Sequence, residues 1–125
     1  MDFKSSKQYL LSKPESYECF PFGDDVYVYK VSNKVFAILA QGKMGKGNEH
    51  YWINLKCDPE EAFHLRGIFD SIIPGYHMNK THWNTIILDG SIPKGEVERM
   101  IDNSYALVVK SLTKAQKLRL DLIKP

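Results

Sequence analysis

Two runs of β-branched and aromatic residues, Val26-Tyr27-Val28-Tyr29-Lys30-Val31 and Val35-Phe36-Ala37-Ile38-Leu39-Ala40, are separated only by Ser32-Asn33-Lys34. Residues of this kind suit a pleated, half-buried surface, and the short link between them reads as a hairpin turn. A parallel pair would need a crossover of a dozen or more residues, so these strands pair antiparallel and a doubly wound parallel sheet is excluded. A third run, Tyr51-Trp52-Ile53-Asn54-Leu55-Lys56, alternates with period two. It sets Tyr51, Ile53 and Leu55 on one face and Trp52, Asn54 and Lys56 on the other. The three runs predict a meander with one face buried.

Helices flank this meander. Phe3, Lys7, Tyr9, Leu10 and Leu11 form a short amphipathic stretch that Pro14 must stop. Asp58-Pro59-Glu60-Glu61 reads as a helix start, with aspartate at the N-cap, proline in the first turn and acid where the helix dipole favours it. Ala62, Leu65 and Phe69 continue its apolar stripe. Pro74-Gly75 breaks the chain, and Thr85-Ile86-Ile87-Leu88 before Asp89-Gly90 reads as a strand running into a turn. Beyond Pro93, Val97, Met100, Ile101, Tyr105 and Val108 keep the period of one helix face, and Thr113-x-x-Gln116 offers a capping box for a last basic helix. With 125 residues, 43% of them hydrophobic, the chain suits one domain over 1–125. The expected architecture is an α+β two-layer sandwich, an antiparallel sheet with helices on one face, in α-β3-α-β2-α order.

Charge narrows the function classes. The net charge is +2, with a sequence pI near 8.5, below the value above about 9 expected of a dedicated nucleic-acid binder. Any contact with nucleic acid must therefore be local. Lys43, Lys46 and Lys56 against Glu49 make one basic stretch, and Lys114, Lys117, Arg119 and Lys124 against Asp121 make another, while Cys57 to Tyr76 is acidic. Gly42-Lys43-Met44-Gly45-Lys46-Gly47 departs from the phosphate-loop pattern, because Gly47 stands where Ser or Thr is required and a strand follows where a helix should. It reads as a glycine-rich hairpin loop or wing whose lysines suit a nucleic-acid backbone.

No reaction chemistry is indicated. His50, His64, His77 and His82 lack the His-x-x-x-His spacing of a helical zinc site, and no serine or cysteine stands on a Gly-x-Ser-x-Gly turn. Cys57 sits where a helix dipole lowers a thiol pKa, or else is a partly buried small apolar residue. The reading is a non-enzyme with no cofactor, no catalytic residue and no metal. Cys19 and Cys57 do not form a disulfide framework, and neither a signal peptide nor an apolar span of about 20 residues is present, so a cytoplasmic protein without a membrane partner is expected.

One segment stands apart: Pro74-Gly75-Tyr76-His77-Met78-Asn79-Lys80-Thr81-His82-Trp83-Asn84-Thr85 gathers aromatic, imidazole, amide and ammonium groups. It reads either as a structural corner, with Asn79 and Thr81 satisfying turn backbone and Trp83 and Tyr76 closing the core, or as a binding surface exposing Lys80 and His82. Together with Leu88-Asp89-Gly90, Asp102-Asn103-Ser104-Tyr105, Lys13-Pro14, Pro21-Phe22-Gly23, Tyr29-Lys30-Val31, Lys34-Val35-Phe36-Ala37 and Ile53-Asn54-Leu55-Lys56-Cys57, it resembles the MmcQ/YjbR family of small bacterial proteins. The resemblance spans nearly the whole chain. It implies a secretion-chaperone-like α+β domain that binds DNA through a winged arrangement. Lys80 and Trp83 match the family motif directly, whereas the use of Lys43 and Lys46 as a wing follows from their loop alone. The candidate DNA-binding residues are Lys43, Lys46, Asn79, Lys80, His82 and Trp83. The competing expectation is a protein-interaction module, chaperone-like and homodimeric, that works through an exposed sheet face or edge.

Overall fold

The computed structural model describes the backbone of residues 1–44 and 48–123 and the side chains of residues 1–42 and 50–122. In chain order the elements are α1 (Phe3–Leu11), β1 (Tyr17–Cys19), β2 (Val26–Val31), β3 (Lys34–Met44), β4 (Asn48–Lys56), α2 (Pro59–Ile68), β5 (Ile72–Pro74), β6 (Trp83–Ile87), α3 (Lys94–Lys110) and α4 (Lys114–Ile123). The strands make one antiparallel sheet in the order β1-β2-β3-β4-β6-β5. The α+β sandwich is as the sequence predicts, with three differences. β3 runs on to Met44 and β4 begins at Asn48, so Gly42, Lys43 and Met44, expected in the glycine-rich loop, belong to a strand. A first strand, β1, precedes the hairpin and pairs along β2, and the strand expected from Thr85 begins at Trp83.

Local chemistry explains the elements. Ser32 and Asn33 both take positive φ, 48° and 67°, the two-residue turn whose twist matches a hairpin. Asp58 caps α2 by accepting from the amides of Glu60 and Glu61, and Thr113 and Gln116 exchange both bonds of a capping box at α4. Where Tyr29 pairs with Ala37 but Lys30 pairs with Val35, Phe36 is an extra residue that bulges the strand. Its buried ring meets Tyr105 edge-on at 5.3 Å.

All four helices pack on one face. Leu10 of α1, Leu65 of α2, Met100 and Ile101 of α3 and Leu120 of α4 share a buried core with Tyr29, Ala37, Leu39, Ile53, Leu55 and Ile86. Ser104, fully buried in α3, stitches helix to sheet by donating to the Phe36 carbonyl at 2.6 Å and accepting from the Lys56 amide at 2.8 Å. Tyr105 donates to the Pro14 carbonyl at 2.5 Å, and Tyr9 donates to Asp102 at 2.7 Å, so residues 102–105 fasten α3 to the end of α1. By strand alternation Val28, Ile38, Trp52, Asn54 and Thr85 point away from the helices, onto an open face.

Candidate functional site

The segment between β5 and β6 folds back over that open face, and its bonds show how. Gly75 donates its amide to the Trp83 carbonyl at 2.8 Å, closing the loop at its base. Only glycine fits there, because a Cβ would stand 2.7 Å from the Trp83 Cβ and 2.9 Å from the Trp83 carbonyl oxygen. Asn79 accepts from the Thr81 amide at 2.9 Å, and Lys80 Nζ donates to the Gly75 carbonyl at 3.2 Å. Arg66 of α2 reaches under the loop, donating through Nε to Asn84 Oδ1 at 2.7 Å and through Nη2 to the carbonyls of Lys80 and Trp83.

A buried polar relay sets the loop against the sheet. Asn54, 1% exposed, donates through Nδ2 to the Tyr76 carbonyl at 3.0 Å, and its Oδ1 accepts from the Thr85 hydroxyl. That hydroxyl in turn accepts from the Tyr76 amide at 2.9 Å. Both backbone groups of Tyr76 are thereby satisfied by side chains from neighbouring strands. Such groups rarely go unpaired when taken from water, so the relay dictates where the Tyr76 ring stands.

The ring becomes one wall of a cleft. Ile38, Trp52 and Asn54 form the floor, Phe22 and Val26 one wall, and Tyr76, His77 and Met78 the other, enclosing about 400 Å³. Trp52 and Tyr76 meet edge-to-face at 5.9 Å, and the Tyr76 and His77 rings lie 3.9 Å apart. His77 holds a positive φ of 58°, an uncommon conformation outside glycine and asparagine that turns its side chain at the head of the loop. Phe22 is 70% exposed. Among the described residues, no carboxylate, ammonium or guanidinium lines this cleft.

The sequence-derived candidates are only partly brought together. Asn79, Lys80 and His82 are exposed on one corner, with Trp83 half-buried beside them. Lys46 and the side chain of Lys43 lie outside the described residues. The Lys43 backbone pairs with Glu49 at one end of β4, while Trp83 pairs with Lys56 at the other. Seven residue steps along a strand separate those points by ~23 Å, so the Lys43 backbone and the Trp83 corner lie at opposite ends of β4. The amide of Asn79 and the ammonium of Lys80 already serve the loop's own backbone. Asn54, Thr85, Arg66 and Phe22 have roles that the sequence reading does not assign.

The thiol of Cys57 is not activated. Burial pushes it up to about 11, and the carboxylates of Glu61 and Asp58 add to the effect, outweighing any benefit from the helix terminus. Among the described residues no three His, Cys, Asp or Glu side chains gather as a metal-binding group, and no helix is long and apolar enough to cross a membrane.

Comparison with known proteins agrees with the folded pattern. The YjbR family model matches residues 11–107. The chain belongs to the YjbR family. The matched span contains every residue of the cleft and leaves α4 outside it. The chain is 33% identical to the uncharacterized Escherichia coli O157:H7 protein YbdF, covering 93% of this chain and 91% of that one. It is 29% identical to the uncharacterized Escherichia coli K12 protein YjbR, covering 88% of this chain and 89% of the relative. The same YjbR fold appears in the crystal structure of the Deinococcus radiodurans protein DR2400, at a TM-score of 0.83 and 33% identity, covering 96% of this chain and 88% of that one. A Pseudomonas syringae protein superposes with a TM-score of 0.77 at 28% identity, covering 86% of this chain and 98% of that one.

Proposed function

We propose that this chain is a non-catalytic binding module that takes an apolar group into the cleft on the open face of its sheet. The observation that carries the proposal is the cleft itself: an aromatic concavity of about 400 Å³ on a face the helices do not cover, walled by the loop that resembles the family motif. Small-ligand sites are concave, mostly apolar, and roughly 300–1,000 Å³ in volume. The corner residues fit the same reading, since Asn79 Oδ1 and the Lys80 ammonium each bond the backbone of the loop that forms the wall. Cys19 and Cys57 are free thiols, which fits a protein of the reducing cytoplasm.

The test is a titration with N-phenylnaphthylamine, an uncharged dye whose fluorescence rises in apolar surroundings. Saturable binding is expected, weakened several-fold by Phe22→Ser, which alters an exposed wall, and by Met78→Glu, which places a charge at the rim. Labelled single-stranded and duplex DNA are titrated alongside at low and near-physiological salt. DNA binding that falls with salt and with Lys80→Ala, in the absence of dye binding, would overturn the cleft reading in favour of phosphate contacts at Lys43, Lys46, Asn79, Lys80 and His82. Concentration-dependent sedimentation abolished by Phe22→Ser, again without dye binding, would overturn it in favour of a chaperone-like homodimer.

A further inference from the structure

We infer that the cleft's occupant is a small, uncharged aromatic molecule carrying one neutral hydrogen-bonding group. The inference rests on the cleft reading above and specifies the ligand. Three features of the lining select that chemistry.

Charge comes first. The eight lining residues, counted from Phe22 to Met78, offer no carboxylate, lysine or arginine to pair with a charged ligand. An ion drawn from water into such a place loses hydration and meets no opposite charge among the lining residues. Shape comes next. The Trp52 and Tyr76 rings stand at 79° to one another, so a planar guest finds a ring face and a ring edge together, the arrangement aromatic groups prefer. The Met78 thioether adds a polarizable contact on the same side.

Hydrogen bonding completes the specification. The Asn54 amide is committed, its Nδ2 to the Tyr76 carbonyl and its Oδ1 to the Thr85 hydroxyl. Among the described residues, the Tyr76 hydroxyl and the His77 imidazole enter no hydrogen bond with a side chain or backbone group, although both residues line the cleft. With the Trp52 indole N–H, which likewise has no hydrogen-bond partner among the described residues, these are the polar groups left to recognise a guest, and the relay fixes the backbone of Tyr76 beside them. A neutral hydroxyl, carbonyl or ring nitrogen on the ligand satisfies one of them without bringing a charge.

The experiment displaces bound N-phenylnaphthylamine from the full chain with three bicyclic aromatics of matched shape: naphthalene, naphthol and naphthoate. Naphthol is expected to displace the dye at concentrations roughly tenfold below naphthalene, the worth of one hydrogen bond, and naphthoate is expected to be the weakest. Tyr76→Phe, His77→Phe or Trp52→Phe, whichever removes the bonding group, should close the gap between naphthol and naphthalene, read as the ratio of the two affinities within each variant; a ratio unchanged in all three would overturn the inference. A loosened fold would weaken both ligands together and cannot produce that pattern. Naphthol no better than naphthalene, or naphthoate the best competitor, would overturn this inference while leaving the cleft as a binding site. Failure of the dye itself to bind would overturn the cleft reading and this inference with it.

Discussion

Replacing Thr85 by valine isolates what holds the cleft wall in place. Valine keeps the volume and the β-branching of threonine, so strand geometry and packing persist at a fully buried position, and only the hydroxyl is lost. Two hydrogen bonds go with it: the one accepted from the Tyr76 amide at 2.9 Å and the one donated to Asn54 Oδ1. Asn54 Oδ1 is then left buried without a donor, which costs about 1–3 kcal/mol, and the partly covered Tyr76 amide adds ~1 kcal/mol. The sum is roughly 2–4 kcal/mol, equivalent to a fall in Tm of about 10 °C for a domain of this size. Urea denaturation followed by far-ultraviolet circular dichroism measures it, as a lower midpoint at unchanged m-value. Thr85→Ser, which retains the hydroxyl, should lose only ~1 kcal/mol for its methyl group. Adding Asn54→Leu to Thr85→Val should cost less than the two single changes summed, because the orphaned carbonyl oxygen goes too. A Thr85→Val protein within about 0.5 kcal/mol of wild type, inside the range of ordinary surface substitutions, would refute the relay as the support of the wall.

Three further outcomes are expected. Gly75→Ala should destabilise by about 1–3 kcal/mol, since its Cβ would press on the Trp83 Cβ and carbonyl oxygen, and the same denaturation curves report it. Cys57 should react slowly with iodoacetamide at neutral pH and accelerate toward its raised value of about 11, so a pH–rate profile with an ordinary cysteine midpoint would contradict the burial argument. At Asp89 desolvation works upward, but hydrogen bonds from the Ser71 and Ser91 hydroxyls and the Ser91 amide prevail and hold the carboxyl at about 2. A depressed folded-state value means stability that is complete above the unfolded value of ~3.9 and is lost as pH falls toward about 2. Acid titration of wild type against Asp89→Asn should therefore show the steeper loss in wild type across that window.

What the sequence reveals here follows the range over which each signal acts. The Ser32-Asn33 turn, the Asp58 cap, the periodic face from Val97 to Val108 and the Thr113 capping box are written within a few consecutive residues, and all are found in the fold. Strands β1 and β5 are too short for alternation to register, and their existence depends on the neighbours they pair with. Asn54 looks like the polar member of an alternating strand, and only the folding-back of residues 75–82 makes it a buried anchor. Arg66 looks like a favourable charge in the last turn of α2, yet its guanidinium is spent on a loop that comes later in the chain. The segment from Pro74 to Thr85 stands out by composition, but composition does not tell wall from corner. Phe22 carries no periodic signal at all, being one residue of an irregular stretch held by local turn bonds from Gly23 to Phe20 and from Val26 to Gly23.

The rims of the sheet have a consequence for the protein's behaviour in a crowded solution. Both outermost strands, β1 and β5, are only three residues long, and β5 ends in proline, which has no amide to offer a newcomer. Strand-by-strand growth into fibrils needs a long, flat, donor-rich border, and neither border supplies one. The molecule can thus display aromatic side chains to solvent while its two outermost strands offer little backbone to other chains. The hollow can admit and release a guest, while the two outermost strands, where attachment would propagate, stay short.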